Sequence, residues 1–151
     1  MNYKGTVEID TAAQDVWDFI LDVDKFASCM AGVEDLVRVD ERTFTGKMRA
    51  KVGPISGEFA FQAQIVDSKA PVNLTAHVEG TDTLTKSTMT SDIMMTLSAV
   101  GADKTELEYQ ATVDVNGRLA IIGDMVLRAT GAQVIQEFFK RLRMQVSNVT
   151  T

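Results

Sequence analysis

The chain has 151 residues, of which 45% are hydrophobic and 24% are charged, a composition that favours one globular domain with one core. Its formal charge of −6 argues against a nucleic-acid-binding protein, since such proteins usually carry a basic surplus. The single cysteine, Cys29, excludes an internal disulfide and fits a reducing compartment. No apolar run reaches the roughly 18 residues that span a bilayer, and the N-terminus has no signal-peptide core. We therefore expect a cytoplasmic protein with at most peripheral contact to the inner membrane face.

The N-terminal region begins with strand alternation and then changes to helical spacing. Residues 2–9 alternate polar and apolar side chains, which predicts a first strand with one buried face. Asp10 or Thr11 can cap the helix that follows. A second short helix is expected from Asp22 to Phe26, and Cys29 to Gly32 are expected to form the turn out of it. The apolar positions of the first helix are Val16, Phe19, Ile20 and Val23.

From Val33 onward the pattern is typical of strands almost without interruption. Period-two segments are separated by short turns, of which Gly53-Pro54 and Ala70-Pro71 are the clearest. The longest predicted strand runs from Leu84 to Ala99. Consecutive strands joined by short turns form an antiparallel meander.

The C-terminal region predicts one long helix from Leu119 to Val146, about 40 Å in length. Gly123 and Gly131 fall inside it, where they would leave room for a ligand or for close contact with the sheet. We therefore predict one α+β domain over residues 1–151. It consists of a curved seven-stranded antiparallel sheet around a long C-terminal helix, with two short helices after the first strand.

The length of the predicted strand Leu84 to Ala99 requires a curled sheet. It would extend about 50 Å if straight, which is too long for a flat sheet in a chain this small. A curled sheet with a helix across it encloses a space that either side chains or a ligand can fill. By strand parity and helical spacing, the predicted lining of this space is Phe44, Met48, Phe59, Phe61, Leu74, Val78, Met89, Ile93, Met95, Tyr109, Val113, Ile122 and Met125.

The sequence offers few residues for catalysis. The only histidine, His77, falls on the polar face of its strand, and Cys29 has no histidine close in sequence. No spacing of Cys, His, Asp and Glu resembles a metal site, and no phosphate-binding loop or nucleophile elbow is present. The basic side chains of Lys47, Arg49 and Lys51 point outward by parity. We therefore expect a protein that is not an enzyme and that has no cofactor, metal or catalytic residue.

Several short motifs together resemble one known family over about 140 residues. They are Ala13 with Val16-Trp17, Cys29-Met30-Ala31-Gly32-Val33-Glu34, Lys51-Val52-Gly53-Pro54-Ile55 with Phe59, Leu107-Glu108-Tyr109, Gly117-Arg118-Leu119-Ala120 with Gly123, and Phe138-Phe139. In this order and spacing they resemble the CoxG family, the G component of carbon monoxide dehydrogenase, within the START and pollen-allergen-like (SRPBCC) superfamily. Two departures are Ala31, where the family usually has proline, and the end at Thr151, where several members carry a tail with a membrane anchor.

The resemblance implies a helix-grip fold and a non-catalytic accessory role. It implies a molybdenum hydroxylase as the partner and a lipophilic small molecule, a quinone, as the ligand. It also implies a link between that enzyme and the membrane, although without the tail we do not expect stable anchoring. The residues agree with an apolar ligand and do not name it.

Two other functions remain open at this point. One is an assembly or membrane-recruitment module whose interior is filled by side chains. The other is an enzyme of the polyketide cyclase type, which would need polar groups in the cavity, where parity places only Ser91, Thr105 and Tyr109. The volume and lining of the space between sheet and helix would separate the carrier from the assembly module.

Overall fold

The computed structural model describes residues 1–149, which form seven strands, three α-helices and one 3₁₀ segment. In chain order the elements are β1 (Asn2–Ile9), α1 (Ala13–Leu21), α2 (Val23–Cys29), β2 (Val33–Arg38), β3 (Thr43–Val52), β4 (Ile55–Lys69), β5 (Asn73–Asp82), β6 (Ser87–Gly101), β7 (Lys104–Asn116), the 3₁₀ segment (Arg118–Ile122) and α3 (Asp124–Val149).

All seven strands belong to one antiparallel sheet in the order β1-β7-β6-β5-β4-β3-β2. Short turns join the consecutive strands from β2 through β7, as the alternation predicts. Helices α1 and α2 carry the chain from β1 to the opposite edge, so β1 pairs with β7 instead of β2. The predicted α+β architecture of a curved antiparallel sheet with a long C-terminal helix is confirmed.

The predicted start of the long helix at Leu119 is wrong. Residues 118–122 form a separate 3₁₀ segment, and α3 begins only at Asp124. The break falls at Gly123, whose φ of 105° is strongly disfavoured for residues with a side chain. Leu119 and Ile122 both pack inward from the 3₁₀ segment, and for this reason their spacing matches that of a helix. The spacing of apolar residues therefore continues across the backbone break and does not reveal it.

Other boundaries also differ from the prediction. Helix α2 runs to Cys29 instead of ending at Phe26, so Cys29 is a buried helical residue and the turn comes after it. Asp22 is its N-cap, with its Oδ1 accepting a hydrogen bond from the Lys25 amide at 3.1 Å. Strand β6 begins at Ser87, because Leu84 lies in the preceding turn and donates its amide to Asp82 Oδ1 at 2.9 Å.

Buried apolar side chains form two groups at opposite ends of the space between the sheet and α3. The first group, here called the α1 core, joins α1 and α2 to the end of α3 and includes Trp17. The second, here called the 3₁₀ core, consists of Val52, Phe59, Leu119 and Leu127, with partly buried neighbours around them. Both ends of the fold are therefore closed by side-chain packing.

Candidate functional site

Helix α3 is packed at its two ends and spans the region between them. Leu127 is buried in the 3₁₀ core, and Leu142 and Val146 are buried in the α1 core. None of the 14 residues between Leu127 and Leu142 is buried, although these two leucines are about 22 Å apart along the helix. The backbone of α3 comes closest to strands β3 and β1, near the sheet edges. The helix therefore crosses above the middle strands without filling the space over them.

The sheet beneath the middle of α3 has small or partly exposed apolar side chains on its inner face, the face toward the helix. Strand pairing puts two rows of residues across this face. One row consists of Phe44, Ala63, Val78, Ser91 and Val113, and the other of Ile65, Ala76, Ile93, Ala111 and Tyr3. Ile93 is 37% exposed although it lies on the inner face. The middle of the inner face is therefore apolar and lined by small side chains; it is open to solvent at Ile93, whereas Ser91 and Ala111 of the same rows are buried.

Two aromatic rings on the inner face lie over glycines of the neighbouring strand. A methyl group at Gly46 would come 3.0 Å from Cζ of Phe61, which lies on the paired strand β4. A methyl group at Gly5 would come 2.7 Å from the hydroxyl oxygen of Tyr109. Both rings consequently lie across the neighbouring strand at its glycine. The Phe61 ring stays low on the sheet, and Phe139 of α3 packs on the Tyr109 ring.

Stacked aromatic rings separate the open middle from the α1 core. The rings of Tyr109 and Phe139 lie 5.0 Å apart between centroids, and Phe139 meets Phe138 at 5.2 Å. Phe138 in turn packs on Phe26 of α2, with 5.4 Å between the ring centroids. These separations suit favourable tilted and edge-to-face aromatic contacts. The row of rings forms one wall of the open space.

A hollow of about 310 Å³ opens between strand β1 and helix α3. Tyr3 braces this seam, since its hydroxyl donates to the carbonyl of Arg128 at 3.0 Å and its ring packs against Gly131. Gly131 thus allows close contact between helix and sheet, which the sequence suggested as one of its two roles. The hollow is lined by Asn2, Tyr3, Lys4, Tyr109, Ala132, Ile135 and Gln136.

A second hollow, of about 370 Å³, lies mainly on the outer face of strands β1, β7 and β6. Most of its lining residues alternate along their strands with residues of the inner face, and they include the charged side chains of Lys4 and Glu108. The inner face suits an apolar molecule better than this hollow does, because its two rows of side chains are uncharged. We therefore place the candidate site between the inner face and α3, with the β1–α3 seam as an opening.

The structure distributes the thirteen predicted lining residues over four places. Leu74, Met95 and Tyr109 pack with the α1 core, and Phe59, Met89 and Ile122 belong to or pack with the 3₁₀ core. Phe44, Met48, Phe61, Val78, Ile93 and Val113 belong to neither core and lie on the inner face around the open middle. The remaining one is Met125.

The expectation that Met125 faces inward is wrong, because it is 86% exposed. The break at Gly123 resets the helical phase, so that the neighbouring Val126 faces inward instead and packs near Gly53. Gly123 itself has no atom within 4 Å of the place where a side chain would begin, so it serves the backbone break.

The predicted lining does not include the small residues of the inner face. Ala63, Ala76 and Ala111 have the correct parity, but a search for apolar bulk passes over alanine. The predicted lining also lacks Tyr3 and Ile135, although each stands at an apolar position of its strand or helix. The small lining residues could be recognised because alanines and glycines fall on the same face of neighbouring strands.

Few polar atoms face the open space. The hydroxyl of Thr105 is buried and donates to the carbonyl of Thr11 at 2.7 Å, so it has a structural role. Among the side chains that the structure describes, those of residues 1–146, none forms a hydrogen bond with the hydroxyl of Ser91 or Tyr109. These two groups can bond to a ligand carbonyl or hydroxyl.

The side chains most often used in catalysis lie away from this space. His77 is on the outer face, with Nδ1 2.6 Å from Asp92 Oδ1 and Nε2 3.1 Å from Glu79 Oε1. These hydrogen bonds raise the pKa of His77. Cys29 is fully buried, and burial raises the pKa of its thiol, which disfavours the nucleophilic thiolate. Among the described residues, no group of three or more His, Cys, Asp or Glu side chains could hold a metal ion.

The outward basic stripe predicted at Lys47, Arg49 and Lys51 is on the outer face, and its central member is paired. Arg49 contacts Glu58 at 3.1 Å and Glu34 at 3.6 Å. Such exposed pairs contribute little to stability. None of the described helices combines the length and the apolar composition that crossing a membrane requires.

Comparison with known proteins places the chain in a sequence family and identifies structures with the same fold. A family model for CoxG, the G component of carbon monoxide dehydrogenase, matches residues 5–147. No curated protein matches the sequence significantly.

Among solved structures, a conserved protein from Geobacillus kaustophilus is similar with a TM-score of 0.90 at 20% identity, over 98% of this chain and 96% of that one. A START superfamily protein from Mycobacterium smegmatis has a TM-score of 0.74 at 13% identity, over 98% of both chains. An aromatase/cyclase from a Streptomyces species has a TM-score of 0.72 at 12% identity, over 100% of this chain and 96% of that one. At these identities the likeness shows a common helix-grip fold, as the sequence resemblance implied.

Proposed function

The chain belongs to the CoxG family of carbon monoxide dehydrogenase components, and from this premise we propose that it is a non-catalytic accessory protein that carries a lipophilic molecule. The ligand would lie between the inner face of the sheet and α3. A quinone is the ligand class we propose, and a molybdenum hydroxylase is the proposed partner enzyme.

The observation that supports this proposal is the bridge made by α3. A helix that only completed a core would bury a side chain on every turn or two along its inner stripe. In α3 the stretch between Leu127 and Leu142 buries none, and it lies over rows of alanine, serine and partly exposed aliphatic residues. A molecule that filled this space would complete the contacts that the protein lacks.

The chemistry of the space suits an uncharged molecule with one or two hydrogen-bond acceptors. Its inner rows bring no Lys, Arg, Asp or Glu, so burial and not charge would drive binding. Burial of about 500 Å² of ligand surface would contribute about 12 kcal/mol, and association costs of about 4 kcal/mol would leave about 8 kcal/mol, which corresponds to a Kd near micromolar. The hydroxyls of Ser91 and Tyr109 can donate to quinone carbonyl oxygens. Moderate affinity suits a carrier that must also release its ligand.

A cyclase-type activity is the less favoured function. General acid–base chemistry would need a titratable group at the site. His77 lies on the outer face and Cys29 is buried in the α1 core, and the inner rows offer only hydroxyls. The fold shared with an aromatase/cyclase does not supply these groups.

Titration of the protein with a short-chain lipophilic quinone tests the proposal, with Ala63→Leu as the decisive variant. Ala63 lies in the inner row between Phe44 and Val78, so a larger side chain there would occupy the proposed ligand space. We expect wild type to bind with a Kd near micromolar and little dependence on salt, and Ala63→Leu to bind at least about tenfold more weakly.

The control is Ala60→Leu, on the same strand but on the outer face, where it is exposed. We expect this variant to bind the quinone as wild type does. If no quinone binds, or if both variants behave like wild type, the carrier proposal is wrong. The assembly module with a filled interior would then be the better explanation.

A further inference from the structure

The sheet has two edge strands, β1 and β2, and they differ in regularity. The register of β2 with β3 shifts between Glu34 and Val37, and Asp35 inside this shift has a φ of 55°. A bulge of this kind twists an edge away from an incoming strand. Strand β1 pairs with β7 in one unbroken register from Asn2 to Ile9 and contains no proline. Strand β1 is therefore the edge on which another strand can form a regular ladder of hydrogen bonds.

Every second residue of β1 directs its backbone groups away from β7. The Met1 amine donates to the Val113 carbonyl and the Val113 amide donates to the Met1 carbonyl, both at 2.8 Å. In an antiparallel pair such doubly bonded partners recur at alternate residues, so the odd-numbered residues of β1 bond to β7. The even-numbered residues, here called the edge residues, are Asn2, Lys4, Thr6 and Glu8. In the described part of the chain, no hydrogen bond is made to their backbone groups.

Space on both faces of the sheet leaves the edge residues accessible. The hollow at the β1–α3 seam reaches Asn2 and Lys4, and the hollow on the outer face reaches Lys4 and Thr6. All four edge residues are exposed. Helix α3 is held to β1 from the inner side, through the hydrogen bond from the Tyr3 hydroxyl to the carbonyl of Arg128. A strand can therefore reach the backbone of β1 in the plane of the sheet.

Charge is distributed unevenly along this edge. Residues 2–5 and their partners on β7 carry one charged side chain, Lys4. Residues 6–10 and the β7 residues beside them carry four carboxylates and one cation: Glu8, Asp10, Glu106, Glu108 and Lys104. The cation contacts the first two of these carboxylates, at 2.8 and 3.8 Å. The first half of the edge is therefore basic and the second half is acidic.

A second copy of the same strand is complementary to this charge distribution. We propose that two copies of the chain pair antiparallel through β1 and form a homodimer with one continuous sheet. Antiparallel pairing puts the basic half of each strand beside the acidic half of the other, and a two-fold symmetric contact of this kind is self-complementary. The contact does not depend on which ligand the inner space holds.

The open backbone groups and the charges favour the same register. With Thr6 opposite Thr6 of the second copy, Lys4 of each copy lies opposite Glu8 of the other. All of these are edge residues, so each such pair forms two backbone hydrogen bonds. The Lys4–Glu8 pairs also bring opposite charges together across the new strand pair, which is stabilising. Registers that place Lys4 opposite Lys4, or Glu8 opposite Glu8, are disfavoured because like charges would meet.

Sedimentation velocity of the intact chain over a range of concentrations tests the dimer. Wild type sediments at twice the chain mass of 16.5 kDa at high concentration and dissociates on dilution. Thr6→Pro raises the Kd of the dimer at least about tenfold, because proline removes an N–H of the open edge and its ring obstructs the approaching strand. That N–H does not bond to β7, and thermal unfolding checks that the variant folds. Thr6→Ser is the matched control, since it keeps the N–H and leaves the Kd unchanged.

Reversal of two charges tests the register. Lys4→Glu and Glu8→Lys each place like charges opposite one another, and each raises the Kd of the dimer about tenfold. The double variant with both substitutions restores opposite charges and returns the Kd to within about threefold of wild type. Lys51→Glu is the control for a change of net charge, since Lys51 is exposed on β3, and it leaves the Kd unchanged.

Amide hydrogen exchange gives an independent readout of the same contact. The amides of Lys4 and Glu8 exchange more slowly in wild type than in Thr6→Pro, whereas the amides of Gly5 and Val7, which bond to β7, exchange alike in both. Wild type that stays monomeric at every concentration overturns the proposal. So does a dimer that Thr6→Pro leaves intact, or one that the double charge variant fails to recover.

Discussion

The ends of α3 and its middle lie over the same sheet and differ in what they bury. At the ends, Leu127 and Leu142 pack into closed cores, and Leu142 is completely buried. In the middle, the partly buried Ile135 faces the hollow at the β1–α3 seam. One helix thus serves two purposes, since its ends supply stability and its middle leaves a space. The division shows that helix amphipathicity alone does not distinguish a filled interior from a bridged one.

The largest expected effect concerns the packed end. Leu142→Ala should lower the free energy of unfolding by about 3 kcal/mol, because it leaves a cavity in the α1 core. Ile135→Ala in the bridged middle should cost less than about 1 kcal/mol, because that side chain is only partly buried and belongs to neither core. Urea unfolding of both variants measures the difference. Equal losses would mean that the middle of α3 is as well packed as its ends.

A smaller effect is expected where a methyl group is added. In Gly57→Ala the new carbon would lie 3.1 Å from Cδ1 of Leu119, so this buried side chain, only 1% exposed, would have to shift within its packed surroundings. We expect a loss of about 1 kcal/mol in the free energy of unfolding. Ala76→Val adds bulk in the middle of the inner face and should change it by less than about 0.5 kcal/mol. Denaturation midpoints that reverse this order would place the tight packing in the middle instead.

Gly5→Ala should affect the ligand more than the fold. The new methyl group would meet the Tyr109 ring, which must then lift from the sheet into the proposed ligand space. We expect quinone affinity to fall about fivefold, or about 1 kcal/mol, with a smaller change in stability. Gly101→Ala is the matched control, since its nearest neighbour would be 3.6 Å away, at Cβ of Lys104. Unchanged affinity in Gly5→Ala would remove Tyr109 from the site.

The smallest effect concerns the outer face of the same sheet. Asp92 and Glu79 raise the pKa of His77 above its ordinary value of 6.5. The contribution of protonated His77 to the free energy of unfolding is therefore complete below the pKa of this residue in the unfolded chain. It is lost as pH rises through its higher pKa in the folded protein. Because the pair is partly exposed, we expect less than about 1 kcal/mol. His77→Gln should be less stable than wild type near about pH 6 and equal to it near about pH 9. A difference that does not change with pH would show that His77 acts through packing.

Much of this architecture can be predicted from the sequence, because period-two alternation and turn residues directly record which face of a strand is buried. That signal predicts the seven strands, the antiparallel pairing of consecutive strands from β2 to β7 and the inner position of Phe59, Val78 and Met95, but not the pairing of β1 with β7. The parity argument also places His77 outward, where the structure has it. The sequence resemblance to the CoxG family agrees with the family match over residues 5–147.

The errors come from features that apolar spacing does not encode. The break at Gly123 depends on a positive φ, and glycine is compatible with both a helix and a break. Helical spacing that continues across that break predicts Met125 to face inward, which the break makes wrong. The sequence predicts Leu84 to begin a strand, but it lies in a turn. This turn is closed by the buried carboxylate of Asp82, two residues earlier, and such a hydrogen bond leaves no apolar pattern. The shape of the inner face depends on alanines and on aromatic rings that lie over glycines. Which ring meets which glycine is decided by the pairing between strands, and spacing along one strand does not show it.

A helix anchored at its ends has a local stability that differs along its length. Backbone amides in the middle of α3 can exchange with solvent through local openings that leave Leu127 and Leu142 in place. A molecule in the space below would hold that stretch down and slow its exchange. Hydrogen–deuterium exchange along residues 128–137 would therefore report occupancy of the protein directly, including by a ligand whose identity is not known beforehand.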